Sequence, residues 1–298
     1  MKLTIFTPTY NRGYIIEQLY RSLQRQTCYD FEWLVIDDGS TDNTEELFSM
    51  WIEEKNLFPI RYYKKENGGK QRAWNMALEL VTGELFFVVD SDDYLVDDAV
   101  ECIIRQAVSL PSNRKYAGVC NCRSTDSQTI LGSTFDGAYL DCTSLERQKY
   151  GIEGDKAEVL FTEIAKQYPF PEFEGEKFVT EAVVWDRIAA DGYKFRFFNQ
   201  ITYLAEYRAD GLTAQGLSLY YQNPRGYALY LKQSRVYGKF SLEVQRYFDM
   251  EYYRNLKSTF SSREIADLLG LKVRQLHVQY ILYLLRQKVS KVKRKLFK

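Results

Sequence analysis

The run Leu85-Phe86-Phe87-Val88-Val89 leads into Asp90-Ser91-Asp92-Asp93, so five large apolar residues are followed by three carboxylates within four positions. An unbroken apolar run of this length reads as a strand buried on both faces. Carboxylates crowded at its carboxyl end repel one another, and desolvation makes the repulsion worse. A divalent cation resolves that conflict, because Mg2+ and Mn2+ take oxygen ligands and neutralise bound phosphates. The competing reading is a helix N-terminus capped by Asp93, but a cap requires one acid and this turn carries three.

The segments around this run alternate. Apolar patterning predicts strands over residues 3–7, 31–36, 60–64 and 85–89, and amphipathic helices over 13–25, 41–54, 70–80 and 97–108. Strands alternating with helices of this length imply parallel pairing through right-handed crossovers. Beyond residue 110 the pattern loosens. It predicts a strand over 116–122, a helix over 157–166, another helix from about Thr180, and short strands over 194–198 and 201–207. From Leu217 onward the chain reads as helical and rich in tyrosine. The boundary is expected at residues 212–216, giving an α/β domain over 1–212, with halves at 1–110 and 111–212, and a helical extension over 213–298.

Several classes of function are disfavoured. No apolar stretch approaches the length of a membrane-spanning helix, and Met1-Lys-Leu-Thr leads straight into the first strand. A cytoplasmic chain with reduced thiols is therefore expected, and its five cysteines show no zinc-like double pair. The single histidine, His277, excludes multi-histidine metal sites and leaves a carboxylate as the expected catalytic base. Lysines and arginines number 40, as do the acids, but no acid follows Asp267. The acidic balance of the rest of the chain speaks against nucleic acid as a partner.

In an open parallel sheet, ligands bind beyond the carboxyl ends of the strands, and each end here is distinctive. The first strand exits through Thr7-Pro8-Thr9-Tyr10-Asn11, where Pro8 stiffens the turn and Tyr10 offers a ring for base stacking. The second exits through Ile36-Asp37-Asp38-Gly39-Ser40-Thr41-Asp42. A carboxylate there can accept from the N3–H of uracil, although the same residues also make an ordinary turn and helix cap. After the third strand, Asn67-Gly68-Gly69 lets the backbone approach a ligand closely, and Lys70 and Arg72 can reach phosphate.

In this order and spacing, Thr7-Pro8-Thr9-Tyr10-Asn11-Arg12, Ile36-Asp37-Asp38-Gly39-Ser40-Thr41-Asp42, Asn67-Gly68-Gly69 and Asp90-Ser91-Asp92-Asp93 resemble glycosyltransferase family 2. The last stretch matches that family's Asp-x-Asp motif. The resemblance spans residues 1–212 and is strongest over the first 110. It implies a GT-A nucleotide-sugar-binding fold, Rossmann-like with a mostly parallel sheet. It also implies an inverting, metal-dependent hexosyl- or hexosaminyltransferase that moves a sugar from a UDP-sugar to an acceptor hydroxyl. By this resemblance Thr7, Pro8, Thr9, Tyr10, Asp38, Gly69, Lys70, Asp90 and Ser91 would hold the nucleotide. Asp92 and Asp93 would bind the diphosphate through Mn2+ or Mg2+, with the share of each acid in the metal shell left open. The acceptor would be a glycan or a lipid-linked sugar of surface-polysaccharide or cell-wall assembly. One departure is Ala73-Trp74-Asn75, where relatives often carry Ala-Arg-Asn.

The family places an acidic pair just before a helix bearing Trp and Arg, and aligning on Arg187 puts Glu181 in the base position. Glu176 and Asp186 remain its rivals. Gln222-Asn-Pro-Arg225-Gly226 lacks the tryptophan of the Gln-x-x-Arg-Trp motif of processive relatives, so a non-processive enzyme is expected. At the C-terminus, Val278, Ile281, Leu282, Leu285, Val289, Val292 and Leu296 fall at helical spacing among Lys and Arg residues. This pattern suits a helix attracted to an anionic membrane surface, peripheral on the inner face of the plasma membrane. The same stripe also suits docking onto protein. The alternative function is a catalytically inactive module that binds nucleotide-sugars.

Overall fold

The computed structural model describes residues 2–112, 115–206, 208 and 210–296, with the side chains of 212, 213 and 286–296 outside that description. Within it the chain forms two compact units, Met1–Glu172 with Arg187–Ala214, and Phe173–Asp186 with Gln215–Lys298. Phe173–Asp186 thus packs with the helical extension, although the sequence pattern grouped it with residues 1–212.

The first unit begins β1 (Leu3–Thr9), α1 (Glu17–Gln24), β2 (Phe31–Asp37), α2 (Thr44–Glu53), β3 (Ile60–Lys64), α3 (Lys70–Leu80) and β4 (Leu85–Val88). It continues through β5 (Tyr94–Leu95), α4 (Ala99–Val108), β6 (Tyr116–Ser124), β7 (Leu140–Cys142), β8 (Lys156–Phe161) and α5 (Thr162–Ala165). The helix α6 (Ala182–Ala190) starts in the second unit, and β9 (Lys194–Leu204) returns to the first. The sheet order is β3-β2-β1-β4-β8-β6-β9-β5, with β7 on β9. The block β3-β2-β1-β4 is wholly parallel, as the strand-helix alternation requires. Strand β8 then enters antiparallel to both β4 and β6, while β6 and β9 run parallel. The expected α/β architecture, built on a parallel block, is the one present.

Strand β4 lies between β1 and β8, which accounts for its apolar run. Leu85, Phe86 and Phe87 are all buried. On the α1–α2 side of the sheet, Trp33 meets Phe48 at 5.1 Å, and Tyr20 stacks on Trp51 at 4.4 Å. Each ring removed from water in this way contributes roughly 1.5–3 kcal/mol, and together they fix α1 and α2 against β2.

The helix expected over 157–166 is corrected. Lys156–Phe161 is strand β8, and only Thr162–Ala165 is helical. A short apolar run carries no decisive period, and here pairing on both edges decides its state. The two short strands expected over 194–198 and 201–207 are one strand, β9, whose register against β6 shifts between Cys120 and Cys122; position 207 lies outside the described residues.

The second unit comprises residues 173–186 with α7 (Leu217–Gln222), α8 (Pro224–Val236), α9 (Leu242–Leu256), α10 (Ser262–Leu269) and α11 (Val273–Leu296). Its core joins Tyr227, Leu231, Met250, Tyr252, Ile265 and Leu276. Ser261 and Glu264 form a capping box on α10, and Gly270 closes that helix in the left-handed region at φ 65°.

Glu32 pins the start of the parallel block. Its carboxylate accepts from Thr4 Oγ1 at 2.7 Å, the Thr82 amide at 3.0 Å and Arg61 Nη1 at 3.1 Å. Burial pushes its pKa up, but these hydrogen bonds together outweigh burial and hold it below the ordinary glutamate range. A depressed folded pKa gives stability that is complete at neutral pH and is lost as pH falls through that folded value. Glu32→Gln should therefore cost about 1–3 kcal/mol near neutral pH and less in acid. Urea unfolding at about pH 7 and about pH 3.5 checks this, and an equal loss at both would refute it.

Candidate active site

The carboxyl ends of β1, β2, β3 and β4 converge in the first unit, and hydrogen bonds knit their loops together. Asn11, at φ 52°, accepts from the Thr41 amide through Oδ1, and its own amide donates to Ser40 Oγ. The Gly13 amide donates to Asp42, and the Asp38 amide to the Thr9 carbonyl. The first two motifs thus act as one scaffold.

Asp38 is the anchor of the third loop. Its carboxylate accepts from Lys65 Nζ at 2.6 Å, the Gly68 amide at 2.9 Å, the Gly69 amide at 2.7 Å and Asn67 Nδ2 at 3.1 Å. Four donors fill the four acceptor positions of a carboxylate. The amides of the two glycines, which were expected to let the backbone approach a ligand closely, face Asp38. Gly39, at φ 85°, passes so close that a Cβ there would lie 3.0 Å from the Asn67 nitrogen, which explains the glycine. Arg72, expected near phosphate, donates to the Gly68 carbonyl at 2.6 Å and to Glu172 at 3.1 Å. Trp74, the departure from the family pattern, is buried against Phe6, Phe86 and Phe170.

The remaining expected nucleotide residues divide by environment. Thr7 is fully buried, and its hydroxyl accepts from Trp33 Nε1 at 3.0 Å. Pro8 is half-buried. Thr9 is buried too, but its hydroxyl has no hydrogen-bond partner among the described residues. Tyr10 stands 48% exposed, leaving its ring open to stacking. Gly69 precedes α3 at φ 95°, and Lys70 starts that helix.

At the acidic turn the three carboxylates have different surroundings. Asp90 accepts from Lys70 Nζ at 2.6 Å. Burial would push its pKa up, but the charges of Lys70 and Arg123 outweigh it and hold the carboxyl below the usual range. Asp92 is half-buried with Arg12 Nη2 4.0 Å away, and burial and the neighbouring Asp90 charge push its pKa up. Asp93 is buried and accepts from Tyr203 Oη at 2.6 Å and the Glu206 amide at 2.8 Å. Burial, and then Asp90, push Asp93 up to about 7. Ser91 is buried between them.

These surroundings fit a divalent cation in part. Among the described residues no three His, Cys, Asp or Glu groups converge into a complete shell. Mg2+ is ordinarily held by one or two carboxylates, with substrate phosphates and water completing the octahedron. Asp92, as one carboxylate, matches that division, whereas Asp90 is paired with Lys70 and both oxygens of Asp93 already serve protein donors.

Sequence reasoning missed Arg12, Lys65, Arg123 and Tyr203 as contributors. Arg12 also binds Asp210, and Tyr14 joins the same carboxylate. Arg12 closes the Thr7–Arg12 motif, where no role was assigned to it, and Lys65 precedes the glycine loop, so position could have flagged both. Nothing local flags Tyr203, 110 residues from Asp93.

Residues 4–114 match the model for Glycosyl transferase family 2. Over this segment, about a third of the chain, the sequence is similar to that family. Glycosyltransferase GlyG of Streptococcus pneumoniae is 31% identical over 105 residues, 35% of this chain and 34% of that protein. The chain thus spans about a third of that relative's length. Among solved structures, Staphylococcus aureus TarS 1–349 in complex with UDP-GlcNAc superposes with a TM-score of 0.62 at 21% identity, covering 94% of this chain and 79% of that one. The mannosyltransferase PcManGT of Pyrobaculum calidifontis, in complex with GDP-Man and Mn2+, gives 0.56 at 18%, covering 95% and 80%. Both carry the same fold with different nucleotides.

The three candidate bases all lie in the second unit. Glu176 is buried and accepts from the Arg225 and Gly226 amides at 2.8 and 2.9 Å, so it caps α8. Gly226, where processive relatives carry tryptophan, abuts the Phe178 carbonyl, 2.8 Å from where a Cβ would sit. Asp186 is buried on Lys239 Nζ at 2.8 and 2.9 Å. Glu181 is half-buried, and its carbonyl accepts from the Val184 and Trp185 amides at the start of α6.

Asp38→Asn would set an amide donor against at least one of four donors. Trypsin should then cut after Lys65 or Lys70 roughly tenfold faster at unchanged global stability, since the 67–69 loop opens locally. Cleavage at the wild-type rate would show that the carboxylate does not hold the loop.

Proposed function

We propose that this chain is a metal-dependent, inverting glycosyltransferase that moves a hexose or hexosamine from a UDP-sugar to an acceptor hydroxyl, one sugar at a time, in surface-polysaccharide or cell-wall glycan assembly. The observation that carries this reading is the end of β4, where Lys70 pairs with Asp90 while Asp92 sits beside Arg12. Two cations and two half-buried carboxylates at the mouth of a parallel block suit a nucleoside diphosphate and one divalent ion. The similarity of residues 4–114 to glycosyl transferase family 2 and the likeness to TarS, a structure with UDP-GlcNAc, support the donor class.

In this reading Tyr10 stacks on the uracil, and the Thr9 hydroxyl gains a partner from the base. The uracil N3–H reaches Asp38 by displacing Asn67 Nδ2, the longest of its four contacts. Asp90 faces the ribose, and Lys70 and Arg12 balance the diphosphate charge. Bound at Asp92, Mn2+ or Mg2+ supplies Lewis-acid stabilisation of the departing UDP. The acceptor is a glycan or lipid-linked sugar. Glu181 takes the proton of its hydroxyl as the bond to the anomeric carbon forms and the bond to UDP breaks, a single displacement that inverts the centre. Its place just before α6, where the family carries an acidic pair ahead of a Trp- and Arg-bearing helix, supports Glu181 as the base.

Thermal stabilisation by UDP, GDP, CDP and dTDP, each with Mn2+ and with chelator, tests the donor site. UDP alone should stabilise strongly, only with Mn2+, and not in Asp92→Asn; equal shifts with all four nucleotides would sink the assignment. Glu181→Gln should bind UDP normally and lose roughly 10²–10⁴-fold in turnover. Retained UDP binding without turnover of any donor by wild type would favour the inactive binding module.

The C-terminal helix is proposed to rest on an anionic membrane. On α11, Leu276 and Tyr283 pack inward, while Val278, Ile281, Leu282 and Leu285 are each at least 50% exposed. Of the expected stripe, Val289, Val292 and Leu296 lie outside the described side chains. Arg286, Lys288, Lys291, Lys293, Arg294, Lys295 and Lys298 give this end its charge. Among the described residues no helix is long and apolar enough to cross a membrane. The chain should co-sediment with phosphatidylglycerol vesicles and not with phosphatidylcholine, and Ile281→Glu with Leu285→Glu should abolish this. Binding to neither vesicle, with a dimer in solution, would assign the stripe to a second copy.

A further inference from the structure

The Tyr203 side chain touches both ends of the acidic turn. It is fully buried on β9. Its hydroxyl accepts from the Asp90 amide at 3.0 Å and donates to Asp93 Oδ2 at 2.6 Å. The Glu206 amide, two residues past β9, holds the other oxygen of Asp93 at 2.8 Å. Tyr203 is itself fixed by the Arg123 guanidinium, 4.1 Å above its ring, and Arg123 Nε donates to the Lys156 carbonyl at 2.8 Å. The ring also meets Phe87 of β4 edge-on at 6.1 Å. A phenol between an amide donor and a carboxylate acceptor uses both of its hydrogen-bonding capacities, so the contact closes the turn into a loop.

We propose that Tyr203 is the positioning residue of the donor site: its hydroxyl clamps the 90–93 turn so that Asp90 and Asp92 stand ready together for a metal-bound nucleoside diphosphate. Asp93 then acts as the turn's tether to β9. This inference rests on the donor-site reading above. The physical reason is preorganisation. Outer partners that orient ligating carboxylates typically contribute 10–100-fold to metal affinity. Without the hydroxyl, the turn would be ordered only at the moment of binding.

The test uses the full chain, with Mn2+ and UDP as probes. Titration calorimetry of UDP in excess Mn2+ on wild type, Tyr203→Phe and Asp92→Asn is read beside the unfolding temperature of each protein without ligand. Tyr203→Phe should fold and weaken UDP binding roughly tenfold, with Asp92→Asn losing the Mn2+-dependent part altogether. A lower unfolding temperature with an unchanged dissociation constant would make Tyr203 a purely structural residue and overturn the proposal. Wild type that binds no UDP with Mn2+ would instead overturn the donor-site reading, and the proposal with it. Should Tyr203→Phe not fold, amide exchange in the unliganded wild type decides. The Asp90 amide should exchange as slowly as those of Phe86 and Phe87 on β4, and exchange at the rate of an open turn would refute the clamp.

Discussion

Carboxylates that share the end of one buried strand cannot all be ionised without compensation. At an effective dielectric near 20, two like charges about 4 Å apart repel by roughly 4 kcal/mol. The first unit answers this differently at each acid. Lys70 reaches Asp90 from the start of α3, Arg12 approaches Asp92 from the end of β1, and Asp93 is turned inward to Tyr203 and the backbone. The compensation is incomplete at Asp92 and at Asp93, whose carboxyls are both left with raised pKa values. A cation bound beside this turn would oppose both shifts.

The glycine loop shows the same economy. In the sequence its glycines read as a close approach of backbone to a ligand, and in the structure their amides converge on Asp38 together with Lys65 and Asn67. An acid at the end of β2 thereby organises the approach to α3, and α3 in turn delivers Lys70 to Asp90. One carboxylate thus sets the loop that places the counter-charge of another. In the second unit, Glu176 does comparable work, since its two oxygens cap α8 at the motif that departs from the processive pattern.

Much of this was legible in the sequence because it is local. The parallel block from β1 to β4 follows from alternating periods, and the site follows from what stands at four strand ends. The failures are equally physical. Lys156–Phe161 has the composition of either a helix or a strand, and it is a strand because β4 and β6 offer it two edges. Thr7 belongs to a motif associated with nucleotide, but its hydroxyl is spent on Trp33 inside the core. Alternation along a strand gives the face of a residue only once the register with its neighbours is known.

The sequence by itself determined the chemistry available: three acids on a β4 exit, an acid on the β2 exit, two glycines and a lysine before α3, and a single histidine far from all of them. These are covalent facts of order and spacing, and a parallel sheet converts them into one site. Only the tertiary structure decided which of these groups face outward and which are consumed. The pairing of β9 with β5 and β6 brings Tyr203 to a turn 110 residues away. No local pattern encodes such a contact, because it depends on the sum of many strand registers and on no single residue's preference.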